Sequence, residues 1–156
     1  MRHSISDSSQ LILDRRSISH ERFSGRKVHR EIVEEVLKHG TWAPNHGLTQ
    51  PWRFHVFMDG AAERLMGELS AAYRAHAGDA AQDSKAEKIR ARGERCNAIV
   101  ALGLAHDQEG RFPLWEDQAA LAAAVQNMYL MCTAHGIGGF WSTPGFLEHP
   151  VALEAL

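Results

Sequence analysis

The longest apolar stretch of this chain runs over residues 119–134 and is rich in alanine. A membrane span needs roughly 20 predominantly apolar residues, and Gln126 and Asn127 interrupt this one, so the stretch predicts a buried helix of a soluble protein. Trp115, Glu116 and Asp117 open that helix, with acidic groups at the positive end of its dipole. Ala120, Ala123 and Ala124 would let another backbone or a flat ligand come close, and Gly136 ends the helix.

The remaining periodicities are arranged around that helix. Ser8 or Ser9 would cap a first helix carrying Leu11, Ile12 and Leu13. Val28, Ile32, Val33, Val36 and Leu37 recur at helical spacing, with Gly40 at the expected C′ position. Residues 41–51 hold two prolines, a glycine and an asparagine and read as a loop. Trp52, Phe54, Val56 and Met58 alternate as in a half-buried strand. Ala62, Leu65, Met66, Leu69 and Tyr73 predict a third helix. Residues 74–95 carry almost no large apolar side chain beyond Ile89 and predict an exposed helix or a mobile flap. Residues 98–105 are continuously apolar, as in a central strand, and 137–141 read as a short final strand. The order of elements points to an α+β fold. No repeat or linker divides the 156 residues, so residues 1–156 are expected to form one domain.

Charge and composition exclude several functions. Seventeen basic residues against nineteen acidic ones leave a net charge of −2, which makes no case for a nucleic-acid or membrane-surface partner. Cys96 and Cys132 are too few for a disulfide framework, and residues 1–10 are too polar for a signal peptide. A cytoplasmic protein is expected. Ten histidines show no metal-binding spacing, so no metal is expected, and no GxSxG elbow supports a serine nucleophile.

Three segments carry chemistry. Arg15-Arg16-Ser17 offers two guanidinium forks and a hydroxyl, suited to a phosphate, although an arginine pair at a helix end is ordinarily just solvated. Ala43-Pro44-Asn45-His46, running on to Gln50-Pro51-Trp52-Arg53-Phe54, puts amide and imidazole groups on a stiff loop before a strand. The plain alternative there is a structural turn with Trp52 in the core. Residues 136–145 combine four glycines with Ser142 and Thr143, which a tight turn into a strand would also explain.

Taken in order, these segments, together with Pro113-Leu114-Trp115-Glu116, resemble the FMN-dependent nitroreductase family, and within it the short single-domain bacterial NAD(P)H nitroreductases. The resemblance implies a nitroreductase-like fold: a central, mostly antiparallel sheet flanked by helices, in a domain-swapped homodimer with FMN at the subunit interface. It assigns Arg15, Arg16 and Ser17 to the FMN phosphate and ribityl chain, and Trp42 to a flavin-contacting position. Asn45 falls in the flavin-binding loop, and His46 would reach FMN from the other subunit. Trp141, Ser142 and Thr143 match the segment beside the flavin, with Ser142 where short members often carry Arg. Met131, Cys132, Thr133, Ala134, His135 and Gly136 match a stretch that meets NADH or NADPH. Short members continue into a further strand and a C-terminal arm; this sequence stops at Leu156, so the expectation is either that such a tail lies beyond it or that this is a truncated member.

The activity implied is hydride transfer from NAD(P)H to FMN and on to a nitroaromatic, a quinone or a similar small-molecule acceptor, by a ping-pong cycle. No side-chain acid or base is required, because the flavin carries the chemistry. Residues 74–95 would set the acceptor's size limit. Alternatives are a flavin-binding protein without turnover and a flavin-dependent dehalogenase-like relative.

Overall fold

A computed structural model describes residues 4–107 and 109–156; the first three residues of the polar N-terminus read above lie outside that range. The chain forms two compact units, each assembled from separated stretches: residues 1–18, 28–54 and 102–139 make one, and 19–27, 55–101 and 140–156 the other.

The first unit is organised by the alanine-rich helix. Helices α1 (Ile5–Asp14) and α2 (Arg30–Gly40) both pack against α5 (Leu114–Ala134). Ala120 and Ala124 of α5 are buried with Ala43 and Trp52. Gly40, expected as a C′ residue, is instead the last residue of α2, and its hydrogen faces Met128; a β-carbon there would lie 2.9 Å from Met128 Cγ. The expected cap of α1 also moves. Ser4 accepts from the Asp7 N–H at 3.2 Å, while the Ser8 hydroxyl turns back onto the Ser4 carbonyl, so the helix starts a turn earlier than Ser8 or Ser9 would place it.

Strands β1 (Trp52–Met58) and β2 (Ala98–Leu104) pair into a two-stranded sheet, the only one among the described residues. The pair is antiparallel: the Ala105 N–H donates to the Pro51 carbonyl at 2.8 Å and Gly103 lies opposite Arg53. Residues 137–141 form no strand. Their backbone is irregular, tied down by bonds from the Ile18 N–H to the Gly139 carbonyl and from the Ile137 N–H to the Cys132 carbonyl in place of a ladder.

In the second unit, α3 (Gly60–Ala77) buries Leu65, Met66, Leu69, Ala72 and Tyr73 against Phe146 and Ala152, the latter on α6 (Pro150–Glu154). Of the two expectations for 74–95, an exposed helix or a mobile flap, the structure shows a helix, and one that packs. The chain runs through the end of α3 and a 3-10 turn (Gly78–Ala80) into α4 (Asp83–Arg95), which packs along α3 and buries Ala86, Ile89 and Gly93. Large side chains are not needed because the helices touch by backbone: a β-carbon on Gly93 would lie 2.7 Å from Glu63 Cα. The Ser70 hydroxyl adds a buried bond to the Ala86 carbonyl at 2.8 Å. No helix among the described residues is long and apolar enough to cross a membrane.

Candidate functional site

A cleft of about 350 Å³ opens in the first unit. Ala119, Ala120 and Ala123 of α5 floor it, Trp115 and Glu116 edge it from the first turn of that helix, and Pro44, Asn45 and His46 form the opposite wall. Small side chains one turn apart on one helix face leave a flat apolar strip, which suits a planar ligand.

The His46 wall is shaped by an unusual loop. The Asn45 side chain staples it, accepting from the Gln50 N–H at 3.0 Å and donating to the Ala43 carbonyl at 3.3 Å. Between these ends Gly47, Leu48 and Gln50 all have positive φ, at 58°, 55° and 44°. For Leu48 and Gln50 that conformation costs energy, and it persists only where neighbours over-determine it. The neighbours are identifiable. His46 Nδ1 lies 2.7 Å from Glu116 Oε2, and the His46 ring packs against Phe112 with centroids 4.1 Å apart. The Thr49 hydroxyl donates to Asp117 Oδ1 at 3.0 Å.

Asp117 is 2% exposed. Its other oxygen lies 2.7 Å from His106 Nδ1 and accepts the Asp107 N–H at 3.3 Å. The bond from His106 holds the Asp117 carboxyl below the usual carboxylate range, helped by those from Thr49 and Asp107 and opposed by burial.

The other predicted residues lie as follows. Arg15, Arg16 and Ser17 follow the C-terminus of α1, in the same unit as the cleft but outside its lining. Arg15 lies over the Tyr129 ring at 5.7 Å, and Arg16 donates to the Leu13 and Arg15 carbonyls. Neither arginine has a carboxylate partner among the described residues, which leaves two adjacent cations for an anion. Trp42 stands out from the loop, 78% exposed, and does not line the cleft. Met131, Cys132, Thr133 and Ala134 close α5, while His135 and Gly136 cap it. Gly136 at φ 67° lets the Ile137 N–H reach back to the Cys132 carbonyl at 2.7 Å, and His135 pairs with Glu35 at 3.3 Å. Burial pushes the Cys132 thiol up, so it is a packing group. Trp141, Ser142 and Thr143 are exposed on irregular backbone in the second unit.

Sequence reasoning missed the residues behind the wall: Thr49, His106, Phe112 and Asp117. Asp117 was legible only as a helix-opening charge, and Glu116 as that and as part of the Pro113-Leu114-Trp115-Glu116 motif. Their partners lie about 70 residues away for His46 and Thr49, and no local pattern announces such pairs.

Fold and site together define an α+β scaffold that presents an alanine-floored cleft beside an imidazole and, elsewhere in the same unit, an unpaired guanidinium couple. The chain belongs to the nitroreductase family, whose sequence model matches residues 12–152. It is 31% identical over 149 residues to YdjA of Escherichia coli (strain K12), provisionally named an NAD(P)H nitroreductase; the match covers 96% of this chain and 79% of YdjA. Among solved structures, the nitroreductase-like family protein from Bacillus cereus superposes with a TM-score of 0.77 at 24% identity, over 99% of this chain and 78% of that one. A provisionally named nitroreductase from Desulfovibrio desulfuricans, crystallised in complex with FMN, gives 0.66 at 28% identity, over 91% and 70%.

Proposed function

We propose that this chain is an FMN-dependent oxidoreductase that takes hydride from NADH or NADPH and delivers it to a nitroaromatic, a quinone or a similar acceptor in a ping-pong cycle. The observation that carries the reading is the guanidinium couple of a half-buried Arg15 and an exposed Arg16, without a carboxylate partner among the described residues, in a nitroreductase family chain. A flavin phosphate is an anion that such forks bind by charge-assisted hydrogen bonds, and Ser17 adds a hydroxyl. The alanine floor and Trp115 suit a flat aromatic ligand. The residues present therefore fit FMN, which when bound supplies the hydride chemistry.

The chain's own part is to bind, orient and exclude. Arg15, Arg16 and Ser17 hold the phosphate end. Asn45 and His46 present polar groups from a braced loop, and Trp42, Trp141, Ser142 and Thr143 are proposed as further flavin contacts on the strength of the resemblance. Met131, Cys132, Thr133, Ala134, His135 and Gly136 are proposed to meet the nicotinamide through backbone and small side chains, and a homodimer is the proposed working state.

The deciding experiment is the visible absorption spectrum of the purified protein before and after anaerobic addition of NADH or NADPH. Flavin bands that bleach are expected. A colourless protein that also fails to bind added FMN would overturn the reading, and bands that persist under both reductants would leave flavin binding without turnover.

A further inference from the structure

The flavin reading uses His46 but does not say what holds it. We propose that Asp117 is the positioning residue of the site, clamping the strained 46–50 turn from below and the Phe112 segment from the side, so that His46 is held between two walls. For its effect on a ligand this rests on the flavin reading; for the geometry it stands alone.

The connections converge from three directions. Thr49 lies between Leu48 and Gln50, the two non-glycine residues with positive φ, and its hydroxyl is bonded to Asp117 Oδ1. The Thr49 N–H also donates to the His46 carbonyl at 3.3 Å, so fixing Thr49 fixes the turn that begins at His46. On the other oxygen, Asp117 holds His106 and the Asp107 N–H. The Asp107 carboxylate grips Arg111 through its backbone N–H at 3.0 Å and its guanidinium at 3.1 and 3.2 Å. Arg111 leads into Phe112, whose ring packs on His46. Glu116 supplies the third connection, directly to His46 Nδ1.

Glu116 cannot stand in for Asp117. Successive residues on a helix point about 100° apart, and here one carboxylate faces the cleft while its neighbour is buried. A buried carboxylate that satisfies three donors is costly to lose, because each donor loses that acceptor. The Asn45 staple closes the ends of the turn, and the bond from Thr49 to Asp117 holds the stretch between Leu48 and Gln50, where positive φ is strained.

The test is made on the full chain with Asp117→Asn, Asp117→Ala, Thr49→Val and the conservative Thr49→Ser. In the flavin-free protein, contacts between the His46 and Phe112 rings are read as nuclear Overhauser effects. They are expected to weaken in Asp117→Ala and Thr49→Val and to recover in Thr49→Ser. Unchanged ring contacts in both weakened variants, at wild-type helix content, would overturn the proposal. If Asp117→Ala does not fold, Thr49→Val and Asp117→Asn decide by the same measurement.

FMN titration of the flavin-free protein, followed by fluorescence quenching, adds a second readout. Asp117→Asn is expected to weaken binding about tenfold, and Asp117→Asn with His46→Gln to bind no worse than His46→Gln alone, since both remove one connection. Additive losses would mean that Asp117 acts by bulk stability and would overturn the proposal. A wild-type chain that binds no FMN defeats the flavin reading instead, and the ring contacts still decide the clamp.

Discussion

The backbone of Gly47 lies directly beneath the ring of Phe112, so close that a β-carbon on Gly47 would overlap two ring atoms. Gly47 also sits at φ 58°, where an L side chain is strained. Gly47→Ala therefore meets two costs, about 1–2 kcal/mol for the left-handed backbone and about 1–3 kcal/mol for overpacking. A loss of about 2–5 kcal/mol in denaturant unfolding is expected. Gly47→Ala with Phe112→Ala should recover the overpacking part, leaving only the backbone cost relative to Phe112→Ala alone. A double variant that recovers nothing would show that the ring is not the obstacle.

Two buried helical glycines should respond differently to alanine, which favours a helix by about 1 kcal/mol over glycine. At Gly93 the new methyl would meet the Glu63 backbone at 2.7 Å and the Ala62 carbonyl at 3.0 Å, and neither can move without separating α3 and α4. Gly93→Ala is expected to destabilise by about 1–3 kcal/mol. At Gly40 the obstacle is the flexible Met128 side chain, 2.9 Å away at Cγ, which can rotate aside. Gly40→Ala should therefore lie within about 1 kcal/mol of wild type. Equal losses at the two sites would contradict the distinction between backbone and side-chain contact.

These glycines also show where the sequence stopped being legible. Elements whose burial follows a local period were readable: Val33 and Val36 on α2, Leu65, Met66, Leu69 and Tyr73 on α3, and the apolar run of β2. What failed depended on distance. Helix α4 looked too polar to pack because Gly93 and Ala86 carry no hydrophobic signal, yet their smallness is what lets it dock. Residues 137–141 have strand-like composition, but pairing needs a partner that no local pattern supplies. Of the residues singled out by motif order, His46 lines the cleft, while Arg15 and Arg16 lie outside its lining. Asp117 and His106 were not singled out, because their roles arise only where α5 meets the loop before β1 and the segment after β2.

His20 makes a prediction about pH. Burial lowers its pKa from the ordinary 6.5, and the charges of Arg92 and Arg95 lower it further against the opposing pull of Glu21. The folded state thus binds fewer protons at this site than the unfolded chain, and its contribution to stability rises with pH. As pH falls through 6.5 towards the lowered folded value, stability is lost. His20→Phe, which keeps an aromatic ring against Phe140, should flatten the fall in melting temperature between pH 7 and pH 5. An unchanged slope would exclude His20 as a source of the acid sensitivity.

Asp117 acts in a separate, more acidic window. Its folded pKa lies below the ordinary 3.8, so its contribution is fully present above that value and disappears as pH falls through the lowered one. Asp117→Ala leaves the Thr49, His106 and Asp107 donors without their acceptor and should cost about 3 kcal/mol at neutral pH. The variant and wild type should then converge as pH drops below 3.8. A gap that stays constant down to the acid transition would show that the loss is of packing and not of charge.

The guanidinium couple can be separated from the rest of the flavin site by choice of ligand. Riboflavin shares the ring and ribityl chain of FMN and lacks only the phosphate. If Arg15 and Arg16 bind that phosphate, each hydrogen bond to a charged group is worth about 1.5–3 kcal/mol, and Arg15→Ala or Arg16→Ala should weaken FMN by about tenfold or more while leaving riboflavin unchanged. Salt should weaken FMN binding to the wild type and matter less to the variants, since exposed charges are screened. Arg16 carries a further expectation. A cation near the reduced flavin would favour its anionic form, so Arg16→Ala should lower the flavin's reduction potential. Equal losses for FMN and riboflavin would place the arginines against the ring or ribityl chain and not the phosphate, and an unmoved potential would remove Arg16 from the flavin's electrostatic surroundings altogether.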